Sequence, residues 1–476
     1  MNGSPASAWI ALLLLAALSG CRAPQSADCT SCSSPPLSTS ESSNTSDSLV
    51  LTSGSDAPEG QPRFELPEGD EELSDGLTLD AAIDRLLAAN LDLAAKFQDI
   101  PKARADILTA GLRNDPVLFV SATQLPYQQY STLRPGTPLY DITLVQPLDV
   151  SGKHRTSIRV AEYECKALEA RYQDVVRHEI DKLYVAFVDV LEARALRKMA
   201  EAEVAVLTEL VETARRLVQK GGQRPKAELI AAKIRKDRSE IALQLADVTL
   251  QRNRRNLATL LAAPEQASCL KLKGSLHDRA PPPPCTEELI RIALQSRPDI
   301  ISYRLSVERG QAQVSQERAQ AIDDLFLFFS PYQAIDFSAQ GNQTANGWEI
   351  GVMLPSLPIL NRNQGNIARA HANVRQLVIE LQAVEQQVVR EVRRAATEYE
   401  VSREEVKRYE QELLPGVRSV RDDRSRLYAS GQRAIDALLT AQRDYNDTVR
   451  QYWEALARHR RSMLELNSAV GRRLLP

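Results

Sequence analysis

The stretch Lys153–Gln219, KHRTSIRVAEYECKALEARYQDVVRHEIDKLYVAFVDVLEARALRKMAEAEVAVLTELVETARRLVQ, runs for 67 residues without a glycine or a proline. Because those two residues are the ones that most often interrupt a helix, the stretch predicts one continuous helix. At 1.5 Å per residue, that helix is about 100 Å long. A compact globule does not need an element of this length, so the sequence favours an architecture of long packed helices.

The apolar residues of this helix are spaced as in a coiled coil. Ala161, Cys165, Leu168, Tyr172 and Val175 follow one another at intervals of three or four residues. The same spacing recurs later in the chain, at Ile367, Ala370, Val374, Leu377, Leu381, Val384 and Val388. Such a stripe indicates helices that pack on neighbours along their length. Cys165 is therefore predicted to be a small core residue and not a reactive thiol.

Each long helix is predicted to end at glycine and to fold back as a hairpin. Gly221 and Gly222 follow the first long helix, and Gly431 follows the second. Glycine is typical just after a helix end, and Pro225 stands where the first residue of a new helix is expected. The return helices are predicted at residues 226–263 and 432–470.

The two hairpins belong to an internal duplication. The chain matches itself at an offset of about 208 residues, which is typical of a structural repeat. Gly222-Gln-Arg224 aligns with Gly431-Gln-Arg433, and Leu118-Phe-Val120 aligns with Leu325-Phe-Leu327. We predict a first repeat at 77–263, a linker at 264–286, a second repeat at 287–471 and a tail at 472–476.

Each repeat also contains a pair of predicted strands. Large apolar side chains alternate with small or polar ones in Trp348–Leu354 (WEIGVML) and Tyr140–Leu144 (YDITL). With residues 115–125 and 325–332, these make four strands of about ten residues, the length that crosses a bilayer at a tilt. A soluble amphipathic sheet packed on the helices is the alternative. Open sheet edges in lipid cost several kcal/mol per unpaired group, so a membrane sheet of four strands requires several copies of the chain.

The composition argues against nucleic-acid binding and against catalysis. Lys and Arg number 59 and Asp and Glu 62, a net charge of -3, which provides no basic field for a polyanion. Only five histidines and four methionines occur, and no histidines are spaced as a ligand pair, so the histidines are expected at solvated helix positions. No phosphate loop, nucleophile elbow or zinc-protease motif occurs. We expect no enzyme activity, no metal site and no cofactor.

The N-terminus is similar to a bacterial lipoprotein signal. An apolar run from Trp9 to Leu18, too short to span a bilayer, leads into Leu18-Ser-Gly-Cys21, which resembles a lipobox. This predicts a signal peptide at 1–20 and a lipid anchor on Cys21, with a cleaved but unlipidated signal as the alternative. Arg22 in place of an aspartate implies sorting to the outer membrane. Residues 21–76 are predicted to form a flexible tether, since 16 of the 36 residues at 22–57 are Ser or Thr.

Four further cysteines lie outside the predicted helices. Cys29 and Cys32 could bind a metal or form a local disulfide, and an unstructured pair is the alternative because no second Cys or His pair completes four ligands. Cys269 and Cys285 flank the proline-rich part of the linker. A disulfide between these two would pin the linker in an oxidising compartment.

In its order of elements, the chain resembles the TolC-type outer-membrane efflux proteins, or outer membrane factors, in their lipoprotein form. The resemblance covers residues 77–471 and is most specific in the second hairpin. The matching segments there are Leu413-Leu-Pro415, Arg426-Leu-Tyr-Ala-Ser-Gly431, Ala441-Gln-Arg443 and Ala469-Val-Gly471. Two segments, Ala110–Pro116 (AGLRNDP) and Pro147–Lys153 (PLDVSGK), are similar to the branch that serves heavy-metal cation pumps.

This resemblance implies a mainly α fold with a membrane β-barrel portion. Three copies would share a twelve-stranded β-barrel in the outer membrane, and their long antiparallel hairpins would form an α-barrel across the periplasm. The implied function is a passive exit channel for metal cations or drugs, supplied by an inner-membrane pump through a periplasmic adaptor. A resistance-nodulation type pump is the first choice, and an ABC exporter, as in a type I secretion duct, is the second. A periplasmic coiled-coil lipoprotein, either an adaptor or a structural protein, is the alternative, against which the two hairpins and the membrane-length strands speak.

The resemblance also assigns roles to residues at the hairpin tips. The expected adaptor-docking residues are Gly221, Gly222, Arg224, Gly431 and Arg433. Arg433 lies where family members place an ionic latch near the closed mouth, with Asp436 as its candidate partner. A solvated tip charge is the alternative for Arg433. Because Ala437 and Thr440 stand where some relatives carry acidic residues, a double acidic ring is not implied.

Overall fold

The computed structural model describes residues 76–124, 136–219, 226–277, 282–338, 341–356, 358–430, 432 and 435–475. These all belong to the unit Pro62–Pro476. The helices are α1 (Leu79–Ala89), α2 (Leu91–Phe97), α3 (Asp99–Gly111), α4 (Lys153–Gln219), α5 (Lys226–Leu260), α6 (Thr286–Ser296), α7 (Pro298–Ala319), α8 (Gln364–Arg408), α9 (Leu414–Ala429) and α10 (Ile435–Val470). The strands are β1 (Val117–Thr123), β2 (Leu139–Leu148), β3 (Leu325–Ser338) and β4 (Gly341–Met353).

The long helix α4 has the bounds that the sequence predicts. It runs unbroken from Lys153 to Gln219, and its predicted seam residues are buried or half-buried. Helices α3, α5, α7 and α10 all pack along α4, and α8 packs on α7 and α10. Gly310 of α7 allows α8 to come close, because a Cβ atom there would lie 3.0 Å from Leu377 Cδ1. Both predicted coiled-coil seams are confirmed as helix–helix contacts.

The packed helices form one row beside the sheet and another towards the hairpin ends. Beside the sheet the order is α3, α4, α7, α8, and towards the hairpin ends it is α5, α4, α10, followed by α8 and α9. Each row has an outer helix on either side. The two repeats contribute the same sequence of elements, in which one helix leads into a strand pair, a long helix and a return helix.

The second repeat departs from the first in its long helix. A π-helical turn, Tyr409–Leu413, separates α8 from α9, whereas α4 has no such interruption. Pro415 explains the difference, because a proline has no backbone N–H to donate and its ring clashes with the carbonyl group four residues earlier. The return helix predicted at 226–263 ends at Leu260, and Ala262 turns the chain with a φ of 52°.

The four strands form one antiparallel sheet in the order β1-β2-β3-β4. The strands have 7, 10, 14 and 13 residues, so the first is shorter and the last two are longer than predicted. Helix α3 leads into β1 and α8 follows β4, which makes β1 and β4 the open edges. In the part of the chain described above, no helix is both long enough and apolar enough to cross a membrane.

Three buried clusters hold the helices together. The first joins α4, α5 and α10 to the chain around Leu272 and Leu276, and Leu77 pairs with Leu272 in a short parallel bridge. The second lies between α6, α8 and the end of α10. The third joins Val211 of α4 to Tyr428 of α9 and so links the two hairpins close to their ends.

Candidate functional site

The register of the sheet gathers large apolar side chains on one face. Leu118 pairs with Leu144, Val120 pairs with Ile142, and Phe329 pairs with Ile350, so each pair points to the same side. This face is not covered by helices, because Val120 and Trp348 are each 68% exposed. A contiguous apolar surface of this kind is typical of contact with lipid or with another protein. The exposure is contrary to the alternative of a soluble sheet packed on the helices.

The opposite face of the sheet, called the polar face below, carries hydroxyl and carboxylate side chains of the strands. The hydroxyl group of Ser121 donates to the carboxylate of Asp141, and Thr143 Oγ1 lies 3.1 Å from Asp141 Oδ2 and 2.8 Å from Ser330 Oγ. Glu349 points to the same side, because it pairs with Ser330 across β3 and β4. No Lys or Arg occurs in the four strands as bounded above. The sheet therefore separates an apolar surface from one that carries acidic and hydroxyl side chains.

Two glycines make room for aromatic rings on this polar face. A Cβ atom on Gly347 would lie 2.4 Å from the ring of Tyr332, and one on Gly351 would lie 2.5 Å from the ring of Phe328. The two rings therefore lie flat over β4 instead of standing away from it. Glu349, between the two glycines, is exposed.

The junction between sheet and helices is held by Asp149. Its carboxylate accepts the backbone N–H groups of Ser151, Gly152, Lys153 and His154, at 2.8–3.1 Å. Burial opposes the charged form of the carboxyl, but these four donors outweigh it and hold the pKa of Asp149 below its usual value. Lys153 Nζ also lies 3.1 Å from Asp324 Oδ1, just before β3. The segment PLDVSGK thus caps α4 and ties it to the second strand pair.

The closing segment Ala469-Val-Gly471 has a structural role at the end of α10. Gly471 adopts a φ of 73° and donates its N–H to Asn467 O at 2.9 Å, which is typical of a helix C-terminus. Arg297 lies against it and donates to Ala469 O at 3.1 Å. The guanidinium of Arg297 also pairs with Asp299 and Glu391, each at 2.7 Å. A buried charge is thereby compensated where α6, α7, α8 and α10 meet.

The predicted tip residues lie almost wholly outside the described residues. This holds for Gly221, Gly222, Arg224, Gly431 and Arg433. Asp436 is described and is exposed in the first turn of α10. The docking and latch assignments therefore stay predictions.

Sequence reasoning missed an arginine that supports the second hairpin. Arg421 of α9 is buried, its guanidinium lies 4.1 Å from the ring centre of Tyr445 on α10, and it bonds Asp422 at 2.6 Å. The spacing of a coiled-coil seam is shared by Leu414, Val417 and Arg421. An arginine at a seam position was therefore the sequence signal that could have identified it. Arg421 and Tyr445 join α9 to α10 near the third cluster.

The histidines do not all follow the prediction. His459 was expected in solvent but is half-buried. Its Nδ1 lies 3.0 Å from Ser402 Oγ, and its ring lies 5.1 Å from that of Tyr399. Burial, together with the charges of Arg460 and Arg403, lowers the pKa of His459 to about 4. Among the residues with a described position, no group of three or more His, Cys, Asp and Glu is arranged to hold a metal ion.

The cysteines fall into two groups. Cys165 is buried on its seam, as predicted, whereas Cys269 and Cys285 are free, exposed thiols that are not joined in the disulfide considered for them. Cys269 follows the 3₁₀ turn Pro264–Gln266, and Cys285 precedes α6. The expected lipid anchor, Cys21, and the pair Cys29 and Cys32 lie outside the described residues.

Comparison with known families matches both repeats to one profile. The family described as "Outer membrane efflux protein" matches residues 82–263 and 289–472. Among characterised proteins, the chain is 26% identical over 409 residues to the cobalt-zinc-cadmium resistance protein CzcC of Cupriavidus metallidurans. That alignment covers 86% of this chain and 93% of the relative.

Solved structures share the fold. CusC, whose crystal structures concern folding and transmembrane channel formation, superposes with a TM-score of 0.67 at 16% identity, covering 89% of this chain and 99% of CusC. The outer membrane protein VceC of Vibrio cholerae gives a TM-score of 0.65 at 19% identity, covering 83% of this chain and 96% of VceC. At these identities the likeness establishes the architecture.

Proposed function

The chain belongs to the outer membrane efflux protein family, and from this we propose that it is the outer-membrane exit channel of a tripartite efflux system. One observation carries the proposal. A sheet with one apolar and one acidic face continues directly into a helix of 67 residues, Lys153–Gln219. A conduit needs these two parts, because the sheet can face lipid on one side and water on the other while the helices extend the wall for about 100 Å.

The working form is proposed to be a homotrimer. The sheet has four strands and open edges at β1 and β4, and unpaired backbone groups in lipid are costly. The two edges differ, so copies must join edge to unlike edge, and such contacts close into a ring. The helices support the same arrangement, because the outer helix α5 exposes Ile230, Ile234, Ile241, Leu245 and Val248.

We propose that the channel has no catalytic turnover and takes its substrates from an inner-membrane pump through a periplasmic adaptor. A resistance-nodulation type pump is the first candidate and an ABC exporter the second. Divalent metal cations are the first substrate class to test, because the relative named above is a cobalt-zinc-cadmium resistance protein. Drugs are the second class.

The ends of the hairpins are the proposed adaptor-docking site. The residues put forward are Gly221, Gly222, Arg224, Gly431 and Arg433, with Arg433 and Asp436 as a latch at the closed mouth. Support comes from the chain order, because these residues connect α4 to α5 and α9 to α10, and the third buried cluster joins the described ends of those helices. Charge reversal at Arg433 is expected to cause leakage of large antibiotics, and unchanged sensitivity would make it a solvated tip charge.

The chain is proposed to reside in the outer membrane with a lipid anchor on Cys21. Mass spectrometry of the mature N-terminus is expected to find acyl groups on that cysteine. The channel itself is tested by fractionating cells and running outer-membrane extracts on gels with and without heating. We expect a trimer-sized band in the outer-membrane fraction that shifts to the monomer on heating. Recovery of a monomer from the soluble periplasm would overturn the proposal in favour of a coiled-coil lipoprotein.

A further inference from the structure

The polar face of the sheet changes in character along the strands. Its side chains lie in rows that cross the four strands, and successive rows are about 7 Å apart. The row nearest the helices that reaches all four strands has no polar side chain and consists of Val117, Val145, Phe328 and Gly351. The next row contains a carboxylate and consists of Phe119, Thr143, Ser330 and Glu349. An apolar surface therefore lies directly beside an acidic one.

The apolar side chains of this face are uncovered. Phe119 is 59% exposed, and Val117 and Met353, the latter one row closer to the helices, are exposed as well. In the proposed channel the opposite face contacts lipid and the copies join at their edge strands, so neither the membrane nor a neighbouring copy covers these side chains. An exposed apolar surface of this kind is typical of contact with a ligand.

Glu349 stands between two aromatic rings on this face. The ring of Tyr332 occupies the space beside Gly347, and the ring of Phe328 occupies the space beside Gly351, where a Cβ atom would collide with it. The two glycines lie two residues before and two residues after Glu349, so each ring is about 7 Å from it along the strand. Both aromatic residues are half-buried, because the glycine backbone covers one side of each ring and leaves the other side open.

The charge of Glu349 is not neutralised by the strands. Glu349 is exposed, and in the described part of the chain its carboxylate takes part in no ion pair or hydrogen bond. The bounded strands contain no Lys or Arg, so the charge of this face favours a cation. The open rings favour a cation that is weakly hydrated, since the face of an aromatic ring attracts positive charge most strongly when water is displaced. A small metal ion that keeps its water gains little from such a surface.

We propose that Glu349, Phe328 and Tyr332 form a binding site for flat aromatic organic cations on the inner wall of the channel. The positive charge of the ligand lies at Glu349, and its ring system stacks on Phe328 or Tyr332. Phe119 extends the apolar surface in the row of Glu349. The site rests on the proposed channel function, and within the drug class it makes cationic aromatic compounds the ones that bind the wall during export.

Fluorescence polarisation of two dyes that share one ring system tests the site. The full chain in lipid nanodiscs is titrated with rhodamine 6G, a xanthene cation, and with fluorescein, a xanthene anion, and the signal of empty nanodiscs is subtracted. We expect rhodamine 6G to bind and fluorescein not to bind. Glu349→Gln and Phe328→Leu are each expected to weaken rhodamine binding by about threefold to fivefold. The matched control is Phe329→Leu, which removes a ring from the opposite face and is expected to leave the affinity unchanged.

The outcomes separate this site from the channel itself. Equal binding of the two dyes would overturn the site, and so would equal weakening by Phe328→Leu and Phe329→Leu. Rhodamine binding that is unchanged in Glu349→Gln would overturn it without the ring variants, because the exposed carboxylate is not needed for assembly. If the unsubstituted protein conducts ions in planar bilayers but binds no rhodamine, the site is wrong and the proposed function stands. If it forms neither trimers nor conducting channels, both are wrong.

Discussion

Arg297 and Gly471 approach so closely that a Cβ atom on residue 471 would lie 2.8 Å from Arg297 Cγ. The glycine has a second requirement, because its φ of 73° lies in the left-handed region that other residues rarely adopt. The end of α10 and the start of α7 are thus joined by an arginine that only a glycine admits. The segment Ala469-Val-Gly471 is explained by this contact.

A Gly471→Ala substitution is expected to destabilise the assembled protein. Backbone strain and the displaced Arg297 together cost about 1–3 kcal/mol. The measurement is the temperature at which trimers dissociate in detergent. Gly416→Ala is the matched control, since a Cβ atom at that position of α9 has nothing within 4 Å. Equal behaviour of the two variants would contradict the role given to Gly471.

Replacing Arg421 by leucine is expected to loosen the second hairpin. The contact with Tyr445 contributes about 1–2 kcal/mol when it is shielded from water. Limited proteolysis is expected to cut the segment between α9 and α10 several times faster in Arg421→Leu than in the unsubstituted protein. Arg426→Leu is the control, because Arg426 forms an exposed pair with Asp423 at 2.5 Å. Similar cleavage rates for the two variants would contradict this role of Arg421.

The pKa of His459, lowered to about 4, predicts a loss of stability in acid. An unfolded histidine has a pKa near 6.5, so between roughly pH 6.5 and 4 the unfolded state binds more protons than the folded state. Stability therefore falls as the pH falls through this range. His459→Asn retains a polar group for Ser402 and cannot titrate, so its thermal stability is expected to change less over the same range. If the thermal stability of the variant fell with pH as steeply as that of the unsubstituted protein, the loss of stability in acid would come from other groups.

The carboxylate of Asp149 affects the pH dependence of folding stability in a different range. Its pKa is lowered in the folded state, so the stability it contributes is present above its unfolded pKa of about 3.9 and is lost as the pH falls through the folded value. Asp149→Ala is expected to lower stability by about 1 kcal/mol at pH 7, as the loss of a helix cap does. Denaturation curves at pH 7 and pH 3 test this, and an equal deficit at both would contradict it.

Glu349 is expected to contribute to the ion selectivity of the channel. It lies on the polar face of the sheet with Asp141 and Asp336, and no Lys or Arg occurs in the bounded strands. In planar bilayers under a salt gradient, Glu349→Gln is expected to lower the ratio of cation to anion permeability. Glu287→Gln, on the exposed side of α6, serves as the control. Identical reversal potentials for the two variants would contradict a role for Glu349.

Helix periodicity predicted more of this fold than local strand patterns did. The observed ends of α4 are the ones that the sequence predicts. This is because a capped start precedes the long seam and a pair of glycines follows it. The observed strand lengths differ from the predicted ones, because apolar and polar residues alternate only while one face of the strand is apolar. Strands β3 and β4 continue beyond that part, in β4 through polar residues such as Asn342–Asn346. The π-helical turn was missed because Pro415 lies within an otherwise regular stripe.

The site was less predictable than the fold. Asp149, Arg297 and Arg421 act through contacts with residues far apart in the sequence or through backbone groups, which no spacing rule shows. His459 was misplaced because a polar residue on a helix gives no sign of the partner that encloses it.

The central claim is that this chain is the exit channel for substrates delivered by a pump. The most direct test is the rate at which cells preloaded with cobalt, zinc or cadmium lose the metal, compared between the intact strain, a strain lacking this chain and a strain lacking the pump. The account predicts that both deletions retain metal equally and that the double deletion is no worse. The claim would be contradicted if the strain lacking this chain lost metal as fast as the intact strain and also exported dyes and antibiotics at an unchanged rate.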